Sequence, residues 1–297
     1  MKKLSVILFA VCAAGLLSAY ETNAEAYKAG TAFRAKRDYK KAFAAYEEAA
    51  KLAETPARKF SAEFMKGVVL CEDKQYENGI AALRAALATA AAPSQKVSCQ
   101  FHIGYYLGIS KKYEEAIAEM RKVRELGKGI KNDYIDRSDA LIGTYLVALK
   151  KYDEALAAVK DACVNSNRDT AFPALTAAYS ANRGLKNTEG MQKAVEGMLA
   201  IEAPRPYMFF TARKCAFELA RSQKKHDEAL KYASEIAANE SLDKTLRLTG
   251  TSYVALSYAA KGDKEKELAA WKELENCGIK YFESMAARNI KRLSGGK

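Results

Sequence analysis

Lys112-Tyr113-Glu114-Glu115-Ala116-Ile117 returns as Lys151-Tyr152-Asp153-Glu154-Ala155-Leu156. Looser copies are Asp38-Tyr39-Lys40-Lys41-Ala42-Phe43, Gln75-Tyr76-Glu77-Asn78-Gly79-Ile80 and Lys225-His226-Asp227-Glu228-Ala229-Leu230. Tyr39, Tyr76, Tyr113 and Tyr152 stand 37, 37 and 39 residues apart. A fixed period in this range, with one helical pattern per copy, marks a stack of similar units. A second fixed point precedes each tyrosine by nine residues: Gly30, Gly67, Gly104 and Gly143. Glycine inside a helix costs about 1 kcal/mol relative to alanine. Paying that penalty at one register implies a close approach between packed helices. The small residues three places after each tyrosine, Ala42, Gly79, Ala116 and Ala155, supply the matching surface.

The punctuation divides the chain into helix pairs, each with an A helix followed by a B helix. The first pair covers Glu21 to Arg37 and Tyr39 to Glu54. Thr55-Pro56 and Pro93-Ser94 open the second and third units, since proline is tolerated in a first helical turn. The third unit ends near Lys128-Gly129, and the fourth runs from Lys131 to Asn165. The fifth is degenerate: Phe172-Pro173-Ala174-Leu175 begins its A helix, Arg183-Gly184 breaks it, and Thr188 to Ile201 form its B helix. Pro204 and Pro206 open the sixth, whose B helix starts at His226. The seventh pairs Leu242 to Ala260 with Lys264 to Asn276, using Leu268, Trp271 and Leu274 as its apolar stripe. Gly278 to Leu293 form an amphipathic closing helix, followed by Ser294-Gly295-Gly296-Lys297.

This pattern resembles the tetratricopeptide repeat. The matching residues are the A-helix glycine, the large apolar residue three places later (Phe33, Leu70, Leu107, Leu146), the B-helix tyrosine and the small residue after it. Ala49, Ala86 and Ala162 continue the match one turn further in. The spacing slightly exceeds the family's usual ~34 residues. The resemblance implies an all-α, right-handed superhelical solenoid of about seven antiparallel helix pairs with a C-terminal capping helix. Its organisation reads as a signal peptide over 1–19, four well-formed repeats over 20–165, three degenerate repeats over 166–277, and a cap and tail over 278–297.

The first residues have the form of a cleavable secretory signal. Lys2-Lys3 are the charged start, Leu4 to Leu17 the apolar run, and Ala19 a small residue before the cleavage point. An uncleaved anchor is the rival reading, although the run is short for a membrane span. The style is bacterial, which places the chain in the periplasm or outside the cell. Cys12 lacks a convincing lipobox. Cleavage takes the net charge from +12 to +10 by removing Lys2 and Lys3. That excess suits acidic proteins, anionic lipids, wall polymers or nucleic acid, and does not choose among them. With the chain exported, nucleic acid is not expected.

Catalytic constellations are not found. There is no HExxH, GxSxG or phosphate-cradling glycine loop. Of the two histidines, His226 occupies the repeat-tyrosine position and reads as a packing residue, and His102, beside Gly104 on an A helix, reads as a partly exposed or core histidine. Glu114-Glu115 and Asp227-Glu228 sit in first turns of B helices, where the helix dipole favours acids. Gly104-Tyr105-Tyr106-Leu107-Gly108 reads as helix packing in the stack. Cys71, Cys99, Cys163, Cys215 and Cys277 are scattered singly, without metal-ligand spacing. No cofactor or metal is expected, and no enzyme.

What remains is binding. In tetratricopeptide stacks the A helices line a concave groove. Carried over, that register places Tyr27, Thr31, Arg34, Phe64, Val68, Phe101, Tyr105, Arg137, Thr144, Tyr179, Lys214 and Arg221 toward the groove. Such a mix suits an extended or helical peptide with acidic and apolar groups. The paired lysines and asparagines of the chaperone-binding subfamily are not found. The expected function is a non-enzymatic scaffold for another envelope protein; the alternative is a module for an anionic glycan or cell-wall polymer, held by Arg34, Arg137 and Tyr105.

Overall fold

A computed structural model describes residues 20–129 and 132–295. The expected signal peptide lies outside the described residues. Fifteen α-helices and one 3-10 turn make up the described secondary structure, with no strand among them. The chain divides into two compact units, the first ending at Leu149 and the second starting at Lys150.

The first unit contains α1 (Asn23–Ala35), α2 (Tyr39–Lys51), α3 (Pro56–Glu72), α4 (Tyr76–Thr89), α5 (Pro93–Ile109), α6 (Tyr113–Leu126) and α7 (Asp133–Ala148). The second contains α8 (Tyr152–Val159), a 3-10 turn (Ala162–Val164), α9 (Arg168–Gly184), α10 (Thr188–Leu199), α11 (Pro206–Ser222), α12 (His226–Ala238), α13 (Lys244–Lys261), α14 (Lys264–Lys272) and α15 (Lys280–Leu293). Every repeat tyrosine, and His226 in its place, is the first residue of a B helix. Pro56, Pro93 and Pro206 each open an A helix, as their missing N–H allows. Within each unit the helix-pair reading holds: α1 packs on α2, α3 on α4 and α5 on α6 in the first, and α9 on α10, α11 on α12 and α13 on α14 in the second. The compact units divide within the fourth pair, a boundary that repeat regularity does not mark.

Local departures have local causes. Pro173 does not begin its helix. Asn167 accepts the Asp169 N–H and caps α9, so Pro173 falls inside the helix. Arg183-Gly184 do not break α9 early; they complete it. The fourth B helix is cut short at Val159 and gives way to the 3-10 turn, leaving Val164 84 % exposed. Ile279 rather than Gly278 precedes the closing helix.

The repeated glycines make room for side chains sixteen residues on. A Cβ at Gly30 would lie 2.9 Å from the Tyr46 ring, one at Gly67 2.8 Å from Leu83 Cγ, and one at Gly104 3.1 Å from Met120 Cγ. Tyr46, Leu83 and Met120 are fully buried. Each glycine lets its A helix close on the central side chain of its own B helix, which is the close approach the register implies. The small residues meet the same interface: the Ala116 carbonyl oxygen lies 3.2 Å from the Gly104 Cβ position.

The A helices share an ending that the repeat pattern hides. Arg37, Lys74, Lys111, Lys150, Lys186 and Lys224 all adopt left-handed backbone, with φ between 56° and 65°. Glycine normally fills this position. The following N–H reaches back to an otherwise unpaired carbonyl, as in Asp38 to Phe33, Gln75 to Leu70 and Lys112 to Leu107, each at 2.9 Å. A basic side chain here faces the negative end of the helix dipole, which offsets part of the roughly 1–2 kcal/mol left-handed penalty.

Candidate functional site

The A helices of the first unit carry one continuous seam of rings and charges. Phe64 on α3 meets the His102 ring edge-on, with centroids 4.9 Å apart. His102 on α5 meets Tyr134 of α7 in the same way at 5.5 Å. Phe101 stacks on Tyr134 at 4.5 Å with 24° between the planes. The Arg137 guanidinium lies 5.3 Å from the Phe101 centroid and 5.9 Å from that of Tyr134. Such a placement is favoured by the negative ring faces. Tyr105, half-buried, lies parallel to Phe101 at 6.3 Å and edge-on to Tyr106 at 5.2 Å.

Helical spacing builds this seam. Phe60 and Phe64, or Phe101 and Tyr105, are one turn apart, so they share a helix face. Stacking successive A helices sets those faces edge to edge. His102 is held by its Nδ1, whose N–H donates to the Ser98 carbonyl oxygen at 2.8 Å. Burial pushes its pKa below the ordinary imidazole value, and the charges of Arg137 and Arg34 push the same way. The Ser98 bond and Glu72 oppose them. The net effect favours the neutral ring.

Arg34 is committed inside the protein. Its Nε donates to Glu72 Oε2 at 2.8 Å and a terminal nitrogen to Oε1 at 2.5 Å, a two-pronged pair joining α1 to α3. The Glu72 bond raises the Arg34 pKa further above its already high value. Arg137, by contrast, is exposed and has no carboxylate partner among the described residues.

The remaining sequence-derived candidates separate on burial. Tyr27 is half-buried, edge-on to Tyr46 at 5.2 Å. It lines an open depression of about 850 Å³ between α1 and α3, with Thr31, Lys28 and Arg58. Thr144 is exposed, and its hydroxyl donates to the Ala140 carbonyl oxygen at 2.9 Å. Val68 and Phe101 are each 3 % exposed. Phe101 is therefore a floor to the seam rather than an open anchor, because Tyr134 covers its face. Sequence reading passed over Tyr134 and Glu72, and took His102 as a partly exposed or core histidine with no part in binding. An aromatic residue in the first turn of an A helix was the available signal for Tyr134.

Tyr179, Lys214 and Arg221 belong to the second unit. Tyr179 is buried, its hydroxyl donating to the Cys215 carbonyl oxygen at 3.2 Å. Lys214 lies 3.9 Å from Glu218. Arg221 is exposed over the Phe217 ring.

Five cysteines are described and none is bonded to another. Burial pushes the Cys71, Cys99 and Cys215 thiols up to about 12, and Cys163 to about 11, so these are unreactive side chains. Among the described residues, no histidine, cysteine and carboxylate group gathers as a metal site. No described helix is long and apolar enough to cross a membrane.

No family model matches the chain, and no curated protein matches it in sequence. Solved structures do. A tetratricopeptide-repeat protein from Parabacteroides merdae aligns over 93 % of this chain and 100 % of its own, with 12 % identity and a TM-score of 0.57. PilW, a type IV pilus biogenesis factor, aligns over 77 % and 98 %, with 15 % identity and a TM-score of 0.58. A signal-transduction ATPase with a tetratricopeptide-repeat sensor, from Pyrococcus horikoshii, aligns over 85 % of this chain and 41 % of its own, with 14 % identity and a TM-score of 0.64. The fold is that of tetratricopeptide-repeat proteins.

Proposed function

We propose that this chain is a non-enzymatic scaffold that binds an acidic segment of a partner protein across the A helices of its first unit. The observation that carries this reading is the seam Phe64–His102–Phe101–Tyr134, with Tyr105 open beside it and Arg137 unpaired above it. Rigid rings give contact area at little entropic cost, and one free guanidinium selects for a carboxylate. The fold is shared with PilW, a type IV pilus biogenesis factor, which suits a role in assembly with other proteins.

Truncating Tyr105 to alanine should weaken partner binding by about 2 kcal/mol, as loss of an interface anchor does. Lys122→Glu, on the exposed face of α6, should change it little. Partner captured by crosslinking from the cell envelope provides the ligand, and circular dichroism checks the fold. Binding that survives Tyr105→Ala but is lost in Lys122→Glu transfers the site to the surface charge of the B helices and ends the seam reading.

The setting in the cell envelope is part of the same proposal and rests on the Leu4 to Leu17 run after Lys2-Lys3. The mature protein is expected to begin at Tyr20. N-terminal sequencing of protein purified from its native host decides this: Met1 retained in a cytosolic fraction removes the envelope from the reading.

A further inference from the structure

One arginine position recurs three residues before the left-handed turn of an A helix: Arg34 before Arg37, Arg183 before Lys186 and Arg221 before Lys224. In two of the three it closes on a glutamate of the next A helix. Arg34 of α1 holds Glu72 of α3 at 2.5 Å, and Arg183 of α9 holds Glu218 of α11 at 3.3 Å. Arg221 of α11 faces a different neighbour. The next A helix, α13, reads KTLRLTGTSYVALSYAAK and has no acidic residue along its length.

The acids of α11 and of the first turn of α12 are already engaged. Glu218, one turn back on α11, is held by Arg183 and lies 3.9 Å from Lys214. Asp227 pairs with Lys261, and Glu228 lies 3.8 Å from Lys225. Among the described residues Arg221 makes no ion pair.

Its guanidinium is nevertheless oriented. It lies 5.5 Å from the Phe217 centroid, and Phe217 stacks on Tyr253 of α13 at 4.2 Å with 14° between planes. This matches the first unit, where Arg137 lies over the Phe101–Tyr134 stack. A guanidinium fixed on a ring stack, with its donor fork uncommitted, is preorganised for a bidentate carboxylate.

We infer that Arg221 is a second recognition site, which holds a glutamate or aspartate side chain of a bound peptide as Arg34 holds Glu72 and Arg183 holds Glu218 within the protein. The site belongs to the second unit and stands independently of the seam. A ligand with two acidic segments gains avidity from engaging both, wherever its linker can span them.

The probe is a fluorescently labelled peptide of six glutamates, titrated by anisotropy at low salt against the mature chain. Arg221→Gln should weaken or remove one component of binding, by about tenfold or more, as loss of a charge-assisted pair does. Ala260→Glu supplies a carboxylate from α13 itself, in the register of Glu72. Ala260 is exposed, so this variant keeps its fold, which a melting curve verifies. It should remove the same component. Arg137→Gln should leave that component intact.

Unchanged binding in either Arg221→Gln or Ala260→Glu overturns the inference. So does loss of all binding in Arg137→Gln with none in Arg221→Gln; that result leaves the first-unit seam standing. Failure of Tyr105→Ala to affect the natural partner, with the Arg221 component present, removes the seam and leaves this site.

Discussion

Trp271→Ala is expected to detach the end of the second unit while the helices far from it stay folded. The indole is fully buried, packed with Ala255, Leu274, Phe282 and Ala286 from α13 to α15. Its Nε1–H donates to Glu267 Oε1 at 3.2 Å, and Glu267 also pairs with Arg292 of α15. Removing a buried tryptophan costs about 3–5 kcal/mol through lost transfer energy and a cavity. Here it also takes a donor from a carboxylate that is 3 % exposed. Each repeat contacts mainly its neighbours, so the loss stays local. Hydrogen exchange should show α13, α14 and α15 losing protection while α1 to α6 keep theirs. Protection lost evenly along the chain would contradict a stack of neighbour-coupled units. Because Trp271 is the single tryptophan, its fluorescence cannot report on the variant.

Gly104→Leu should destabilise the first unit by ~1–3 kcal/mol through overpacking. The new side chain meets Met120, which is flexible, and also the Ala116 carbonyl, which belongs to the α6 backbone and cannot yield without moving the helix. Ala116→Leu enters the same contact from the other side, because Ala116 is fully buried. Lys122→Ala changes an exposed lysine whose pair with Glu119 is worth little, and serves as the control. Thermal melts of the three variants test this order. A Gly104→Leu protein that melts with its parent would mean that α5 and α6 do not meet at this register.

Both predictions bear on function through positioning. The Gly104 contact fixes how α5 lies on α6, and therefore where His102 and Tyr105 stand relative to Phe64 and Tyr134. The seam is built from side chains of three A helices, so it is as precise as the packing beneath it.

Helix starts at Tyr39, Tyr76, Tyr113 and Tyr152, the proline openings at Pro56 and Pro93, and the register of Gly30, Gly67 and Gly104 were all determined by the sequence alone. They were legible because each is a local rule repeated: a cap, a missing N–H, or a small residue where two helices of one pair meet. Repetition turned weak local signals into a fold. The candidate site was less legible. Periodicity assigns a residue to a helix face but does not say what the next A helix sets against it. Only the tertiary structure covered Phe101 with Tyr134, bound Arg34 to Glu72 and Arg183 to Glu218, and left Arg137 and Arg221 without an acid. Only it placed six basic residues in left-handed turns and ended the first compact unit at Leu149. The physical reason is that exposure and charge pairing here are set between side chains some 35 residues apart in sequence, across helices whose contacts no single repeat encodes.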